Sequence, residues 1–162
     1  MIASIILASM GSDKDGSPRV RQNISTKDQN TGIMITNVWV GLRALEGWWS
    51  WNHWSIILSL SNGQYACIQK NTDDTVACKI ENSMEAACKQ TWGKVGKKVR
   101  TSDYGSPCCP RSWDSYFKDL PGNDDYTFIV NDCQNFARQQ VEDLTDKVVG
   151  VFPIEDGPTF TF

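Results

Sequence analysis

Residues 53–69 contain the pattern that most restricts the fold of this chain. An apolar run rich in isoleucine and leucine extends from His53 to Leu60, and a second run extends from Gln64 to Gln69. Between them lies Asn62-Gly63, a pair that favours the positive backbone angles of a tight turn. The pattern therefore predicts an antiparallel β-hairpin.

Other segments predict further strands and helices. Capping residues followed by apolar residues at helical spacing predict helices after Asn82, after Ser112 and over 132–148. Additional strands are expected at 33–40, 76–80 and 126–130, a helical turn at 42–46, and irregular chain over 11–31 and 93–111. The predicted fold class is α+β, with an antiparallel sheet packed on the last helix.

Length and charge restrict the class of protein. A chain of 162 residues suits one domain, which we place at 32–150, after an N-terminal strand or mobile segment at 1–31 and before an extended tail at 151–162. The net charge of −3 and the pI near 5.1 argue against a nucleic-acid partner. No apolar run approaches the length of a membrane span. The oligomeric state is left open.

The cysteines bear on metal binding and on the cellular compartment. The six are Cys67, Cys78, Cys88, Cys108, Cys109 and Cys133. They form no Cys-x-x-Cys pair, and His53 is the only histidine, so neither a zinc site nor any other cofactor is expected. The spacing of the cysteines fits a disulfide framework poorly. This favours a reducing, cytoplasmic location for the protein, with secretion as the alternative.

Cys133 is the first candidate for chemistry. It follows a predicted strand and opens the predicted helix 132–148. Unpaired N–H groups and a partial positive charge at a helix N-terminus favour a thiolate, and they can hold a developing oxyanion. The alternative is that Cys133 is a small buried residue of the helix core.

His53 is the second candidate. An imidazole at the start of a strand can take the proton of a thiol and return it to a leaving group. The alternative is a structural histidine. Since no other histidine exists, a Cys–His enzyme made from this chain must use His53 as its base.

Two short segments resemble known families. Residues 45–58, LEGWWSWNHWSIIL, are similar to the histidine box of the PPPDE family of desumoylating isopeptidases. His53-Trp-Ser-Ile56 also looks like the His-Trp-Ala-Ile strand of lecithin:retinol acyltransferase-like proteins. Residues 126–144, YTFIVNDCQNFARQQVEDL, resemble the Asn-Cys-x-x-Phe box of both families, although Asp132 replaces the usual asparagine before Cys133.

The resemblance implies a circularly permuted papain-like fold, in which histidine precedes cysteine, and a thiol peptidase or isopeptidase. Cys133 would attack an amide carbonyl of a protein or peptide, such as a ubiquitin-like conjugate, after His53 takes its proton. The Cys133 backbone N–H and the Asn131 side chain are candidates for holding the oxyanion. Gln69, or Gln64 on the same strand, is a candidate for orienting His53.

Two alternatives stay open. The same pair of residues would serve a lipid acyltransferase or phospholipase, as in the acyltransferase-like proteins. A papain-like domain that binds a partner without catalysis is the other alternative. Since the returning strand has no histidine, the resemblance favours a Cys–His dyad over a triad.

Overall fold

A computed structural model describes residues 20–23, 32–44, 52–71, 75–91, 98–120, 133–151 and 153–162. The described strands are β1 Val20–Asn23, β2 Ile35–Ala44, β3 Asn52–Leu60, β4 Tyr65–Lys70, β5 Val76–Glu81, β6 Lys98–Gly105 and β7 Phe160–Thr161. The described helices are α1 Met84–Gln90, α2 Trp113–Lys118 and α3 Cys133–Thr145. The chain is therefore a mixed α+β protein, as the sequence predicts.

All the described strands belong to one sheet, in the order β1-β5-β4-β3-β2-β6-β7. Neighbouring strands are antiparallel except β1 and β5, which are parallel. The predicted hairpin is β3–β4, and Gly63 adopts a φ of 82° in its turn. The backbone N–H of Leu60 donates to the carbonyl of Gln64 at 2.9 Å, which closes the hairpin.

One face of the sheet is covered by α3 and is called the α3 face. On β3 it carries Trp54, Ile56, Leu58 and Leu60, which pack in one cluster with the buried side of α3. That side of the helix consists of Phe136, Ala137, Val141 and Leu144. The burial follows from the period-2 pattern of the strand and the 3.6-residue period of the helix.

The opposite face packs on α1 and is called the α1 face. Ile57 of β3 and Cys67 of β4 cluster there with Ala87 and Cys88 of the helix. Val99 of β6 joins the same cluster. Odd-numbered residues of β3 therefore belong to the α1 face, and even-numbered ones to the α3 face.

The helix ends refine the sequence predictions. Ser112 caps α2 as predicted, its hydroxyl accepting from the N–H of Ser115. Ser83 caps α1 instead of the predicted Asn82, since its side chain accepts from Ala86.

The last helix is shorter than predicted. It ends at Thr145, and Val148, which was expected in its buried stripe, is 82% exposed. Asp146 adopts a φ of 56°, a left-handed conformation in which the helix cannot continue.

Three predictions of irregular or helical chain are wrong in part. The interval 93–111 contains β6, the interval 11–31 contains β1, and residues 42–44 extend β2 instead of forming a helical turn. In β6 the lysine, arginine and glycine residues mask the alternation of buried Val99 and Thr101 with more exposed neighbours. Pairing with β2 along most of its length stabilises this strand.

Several predicted features lie outside the described residues. They are the strand at 126–130, Asn131, Asp132, and residues 45–51 of the tryptophan-rich segment. Among the helices that the structure describes, none has the length and apolarity to cross a membrane.

Candidate functional site

His53 lies near the start of β3 and is 6% exposed. Its odd number places it on the α1 face, together with Ser55 and Ile57. Its ring nitrogen Nε2 lies 3.0 Å from Oε1 of Gln69, on the neighbouring strand β4. The structure therefore brings together two of the site residues considered from the sequence.

The carboxamide of Gln69 is held in one orientation. Its Nε2 donates to the backbone carbonyl of Gln90, at the end of α1, over 3.1 Å. Only the NH₂ group of an amide can donate to a carbonyl, so the oxygen of Gln69 must face His53 as an acceptor. His53 Nε2 therefore carries a proton, and in the neutral ring the lone pair belongs to Nδ1.

The surroundings of His53 favour the neutral ring. Burial lowers its pKa below the usual 6.5, the hydrogen bond to Gln69 opposes that shift, and the positive charge of Arg43 lowers the pKa further. A neutral imidazole can accept a proton, whereas an imidazolium cannot. The histidine is thus suited to act as a base at neutral pH.

Arg43 belongs to the same group of side chains, although no sequence motif indicates it. It lies directly opposite His53 in the β2–β3 ladder and is 2% exposed. Its Nη1 donates to the backbone carbonyl of Thr91 at 3.0 Å. Because residues 42–46 were expected to form a helical turn, no pattern in the sequence placed Arg43 across from His53.

Further polar contacts join α1 to the sheet beside His53. The hydroxyls of Ser55 and Thr91 are 2.7 Å apart, and both are buried. Gln90 donates to Glu81 Oε1 at 2.8 Å. The end of α1 is thus anchored to three strands, through the carbonyls of Gln90 and Thr91 and the Thr91 hydroxyl. This anchoring fixes the position of Gln69.

Cys133 is the first residue of α3 and is 7% exposed. A helix of 13 residues carries a partial positive charge at its N-terminus, and this charge favours an anionic sulfur. The position matches the one expected from the sequence. Asn131, the other candidate for holding an oxyanion, lies outside the described residues.

The contacts of α3 show which end of the sheet Cys133 approaches. The guanidinium of Arg138 lies 5.1 Å from the ring centre of Trp54, near the start of β3. At the other end of the helix, Lys147 Nζ donates to the carbonyl of Tyr104, near the end of β6. The neighbours of Tyr104 in β6 pair with Val38 and Trp39 of β2, which pair in turn with Leu58 and Ile57, so this second contact lies towards the far end of β3. The N-terminus of α3 therefore points towards the end of the sheet where His53 lies.

His53 and Cys133 lie towards the same end of the sheet, but they belong to opposite faces of it. His53 projects from the α1 face towards Gln69, whereas α3 packs on the opposite face through Trp54 and its neighbours. Transfer of a proton between Cys133 and His53 would require their side chains to meet beyond the start of β3.

None of the six cysteines, all of which lie in the described part of the chain, forms a disulfide bond. Burial raises the pKa of the thiols of Cys67 and Cys88 to about 12 and raises that of Cys78 as well. These three thiols are protonated at neutral pH and are poor nucleophiles. Cys108 and Cys109 are exposed and lie in the segment between β6 and α2, where the N–H of Cys108 donates to the carbonyl of Leu144 near the end of α3.

Within the described part of the chain, no three His, Cys, Asp or Glu side chains are grouped so as to hold a metal ion. Comparison of the whole chain with protein-family models, with curated proteins and with solved structures finds no match. Function must therefore be argued from the geometry of His53, Gln69 and Cys133.

Proposed function

We propose that this protein is a cysteine-dependent hydrolase of amide bonds, with Cys133 as nucleophile and His53 as base. The observation that carries the proposal is the 3.0 Å contact between His53 Nε2 and an oxygen of Gln69 whose orientation is fixed. A histidine with a protonated Nε2 and a lone pair on Nδ1 is prepared to accept a thiol proton.

The proposed reaction begins when His53 Nδ1 takes the proton of Cys133. The thiolate attacks the carbonyl carbon of the substrate, and the N–H groups at the start of α3 stabilise the oxyanion. The tetrahedral intermediate then collapses as His53 protonates the leaving amine, which leaves a thioacyl-enzyme. Water, deprotonated by His53, hydrolyses the thioester and regenerates the thiol.

The order of histidine before cysteine and the two sequence boxes support a permuted papain-like arrangement as part of this proposal. A protein or peptide is the proposed substrate, with a ubiquitin-like conjugate as the specific candidate. In this scheme Gln69 orients the base, which gives the site a third polar member on β4.

The test is alkylation of Cys133 by iodoacetamide across pH, followed by peptide mass spectrometry, in the native protein and in His53→Ala. The proposal expects the rate at Cys133 to fall at least about tenfold in the variant near neutral pH, because the thiol loses its base. The rate at the exposed Cys109 serves as the internal control and should not change. Equal Cys133 rates in the two proteins would refute the proposal.

Turnover is tested separately with ubiquitin-like conjugates and with acyl lipids. Cys133→Ala and His53→Ala should each abolish cleavage, whereas Cys109→Ser should retain it. Cleavage of the lipids alone would replace the amide hydrolase with an acyl-lipid enzyme that uses the same nucleophile.

One observation favours a second candidate, a domain that binds a partner without catalysis. The α1 face carries His53 and the opposite face carries α3, so the two side chains do not share a surface of the sheet. In that case His53, Gln69 and Gln90 form a structural link between β3, β4 and α1. The alkylation experiment separates the candidates, since a purely structural histidine leaves the Cys133 rate unchanged in a variant that stays folded.

A further inference from the structure

Arg43 is a cation that lies directly opposite the proposed base in the β2–β3 ladder. Directly opposed residues of an antiparallel pair project from the same face, so the ladder partners Arg43 and His53 are neighbours on the α1 face. The guanidinium is fixed there because it donates to the carbonyl of Thr91 at 3.0 Å. Burial lowers the pKa of the Arg43 guanidinium, but the ordinary pKa of arginine, above about 12, is high enough that the group stays charged near neutral pH.

We propose that Arg43 is a positioning residue of this site, which places a fixed positive charge beside His53 and opposes protonation of its ring. The inference deepens the proposed function, since it rests on His53 as the base. It assigns the site a neutral thiol–imidazole resting state in place of a preformed thiolate–imidazolium pair. The base is then ready to accept a proton over the whole neutral range of pH.

Other groups on this face do not supply the same effect. Among the described residues, the titratable or charged ones on the α1 face include Arg43, Cys67, Cys88, Tyr65 and the ion pair of Lys79 with Glu81. The helix α1 itself carries Glu85 and Lys89, both exposed to solvent, which screens their charges. The buried thiols of Cys67 and Cys88 are uncharged near pH 7, because their pKa is about 12. Lys79 and Glu81, 3.3 Å apart, largely neutralise each other. Val99 and Phe160, which pack on this face from β6 and β7, are uncharged.

A simpler role for Arg43 would be to anchor the end of α1 through Thr91. That role predicts a loss of stability on substitution but no change in the proton affinity of His53. A charge beside the ring predicts both effects, because a like charge makes the imidazolium less favourable. The titration of His53 therefore distinguishes the two roles.

The experiment follows the titration of His53 by NMR in the full-length protein. Because this is the only histidine, its ring gives a single set of signals. Arg43→Gln and Arg43→Met remove the charge, and Arg43→Lys keeps it. We expect the midpoint of the titration to rise by more than about half a pH unit in the first two variants and by less than that in Arg43→Lys.

Unchanged titration in a folded Arg43→Gln or Arg43→Met protein would overturn the proposal and leave Arg43 as a helix anchor. Arg43→Met keeps the aliphatic stem and is the second variant if Arg43→Gln does not fold. A rise in Arg43→Lys equal to that in the uncharged variants would also overturn it. The titration needs no substrate, so it can succeed or fail independently of whether Cys133 is a nucleophile.

Discussion

Gln69 Oε1 lies 3.0 Å from His53 Nε2, and the amide of Gln69 is itself fixed by the carbonyl of Gln90. The contact spans two neighbouring strands and reaches the end of a helix. It decides which nitrogen of the only histidine carries the proton. The chemical character of the proposed base therefore depends on the packing of α1 against β4.

The first prediction concerns this tautomer. In the native protein at pH 8, the ring of His53 should be protonated on Nε2, as measured by ¹⁵N chemical shifts in a long-range ¹H–¹⁵N NMR spectrum. In Gln69→Leu the acceptor is gone, and the single tautomer should give way to a mixture. Gln64→Leu, beside the β3–β4 turn at the opposite end of β3 from His53, is the control and should leave the His53 signals as in the native spectrum. A native ring protonated on Nδ1 would contradict the assigned orientation of Gln69.

The second prediction concerns stability and pH. Burial and Arg43 lower the pKa of His53 in the folded state below 6.5, while in the unfolded chain the ring titrates near about 6.5. As pH falls through that value the unfolded state binds the proton first, so the free energy of unfolding decreases until the folded pKa is reached. The slope can approach about 1.4 kcal/mol per pH unit.

Urea unfolding of the native protein and of His53→Gln between pH 8 and pH 5 checks this prediction. The carboxylates contribute to both curves, so the difference between the two proteins isolates the histidine. The native protein should lose more stability on acidification than the variant. Parallel curves would mean that His53 has the same proton affinity in the folded and unfolded chain.

The third prediction concerns the thiols. Cys67, Cys78 and Cys88 are buried and their pKa values are raised, whereas Cys108 and Cys109 are exposed. Brief treatment of the folded protein with N-ethylmaleimide should therefore modify the two exposed cysteines first. In the folded protein the three buried thiols should react at least about a hundredfold more slowly than the exposed ones. They should react readily only after denaturation.

Peptide mapping after timed quenching measures these rates residue by residue. A Cys108→Ser, Cys109→Ser double variant removes the fast reaction and shows the behaviour of Cys133 on its own. Rapid modification of Cys67 in the folded protein would contradict the packing of α1 on the sheet, because this thiol lies beneath that helix.

The β3–β4 hairpin, the buried stripe of α3 and the cap at Ser112 could be predicted because each depends on local patterns. Asn62-Gly63 has a strong turn preference, and a buried helix face repeats at a fixed period. The start of β6 could not be predicted in the same way. Its sequence is strongly charged, and it becomes a strand by pairing with β2, which lies more than 50 residues earlier.

The residues of the candidate site also differ in whether the sequence alone could predict them. Cys133 and His53 were selected because few residue types perform acid–base and nucleophilic chemistry. The contact of His53 with Gln69 was one of two options on the returning strand, and only the register of β3 and β4 distinguishes them. Arg43 and the opposition of the two sheet faces depend on pairings between distant segments, which a single sequence does not reveal.

The fourth prediction concerns Gly41, which lies beside the polar contacts of α1. A Cβ atom at this position would come within 2.7 Å of Ser55 Oγ and within 3.1 Å of Thr91 Oγ1. Gly41→Ala should therefore push apart the hydroxyls of Ser55 and Thr91, which are 2.7 Å apart and buried. We expect a loss of about 1–3 kcal/mol in the free energy of unfolding, because overpacking strains a closely packed interior.

The double variant Gly41→Ala, Ser55→Ala lacks the atom nearest to the new Cβ. Its loss in the free energy of unfolding should therefore be smaller than the sum of the losses in the two single variants. This non-additivity is the signature of a direct contact. Urea unfolding of the four proteins gives the coupling energy. Strict additivity would show that the destabilisation arises from Ile57, whose side chain would lie 3.1 Å from the new Cβ, or from the backbone of β2. In that event the link between α1 and the sheet would tolerate the substitution, and the position of Gln69 against His53 would depend on its own hydrogen bond to Gln90.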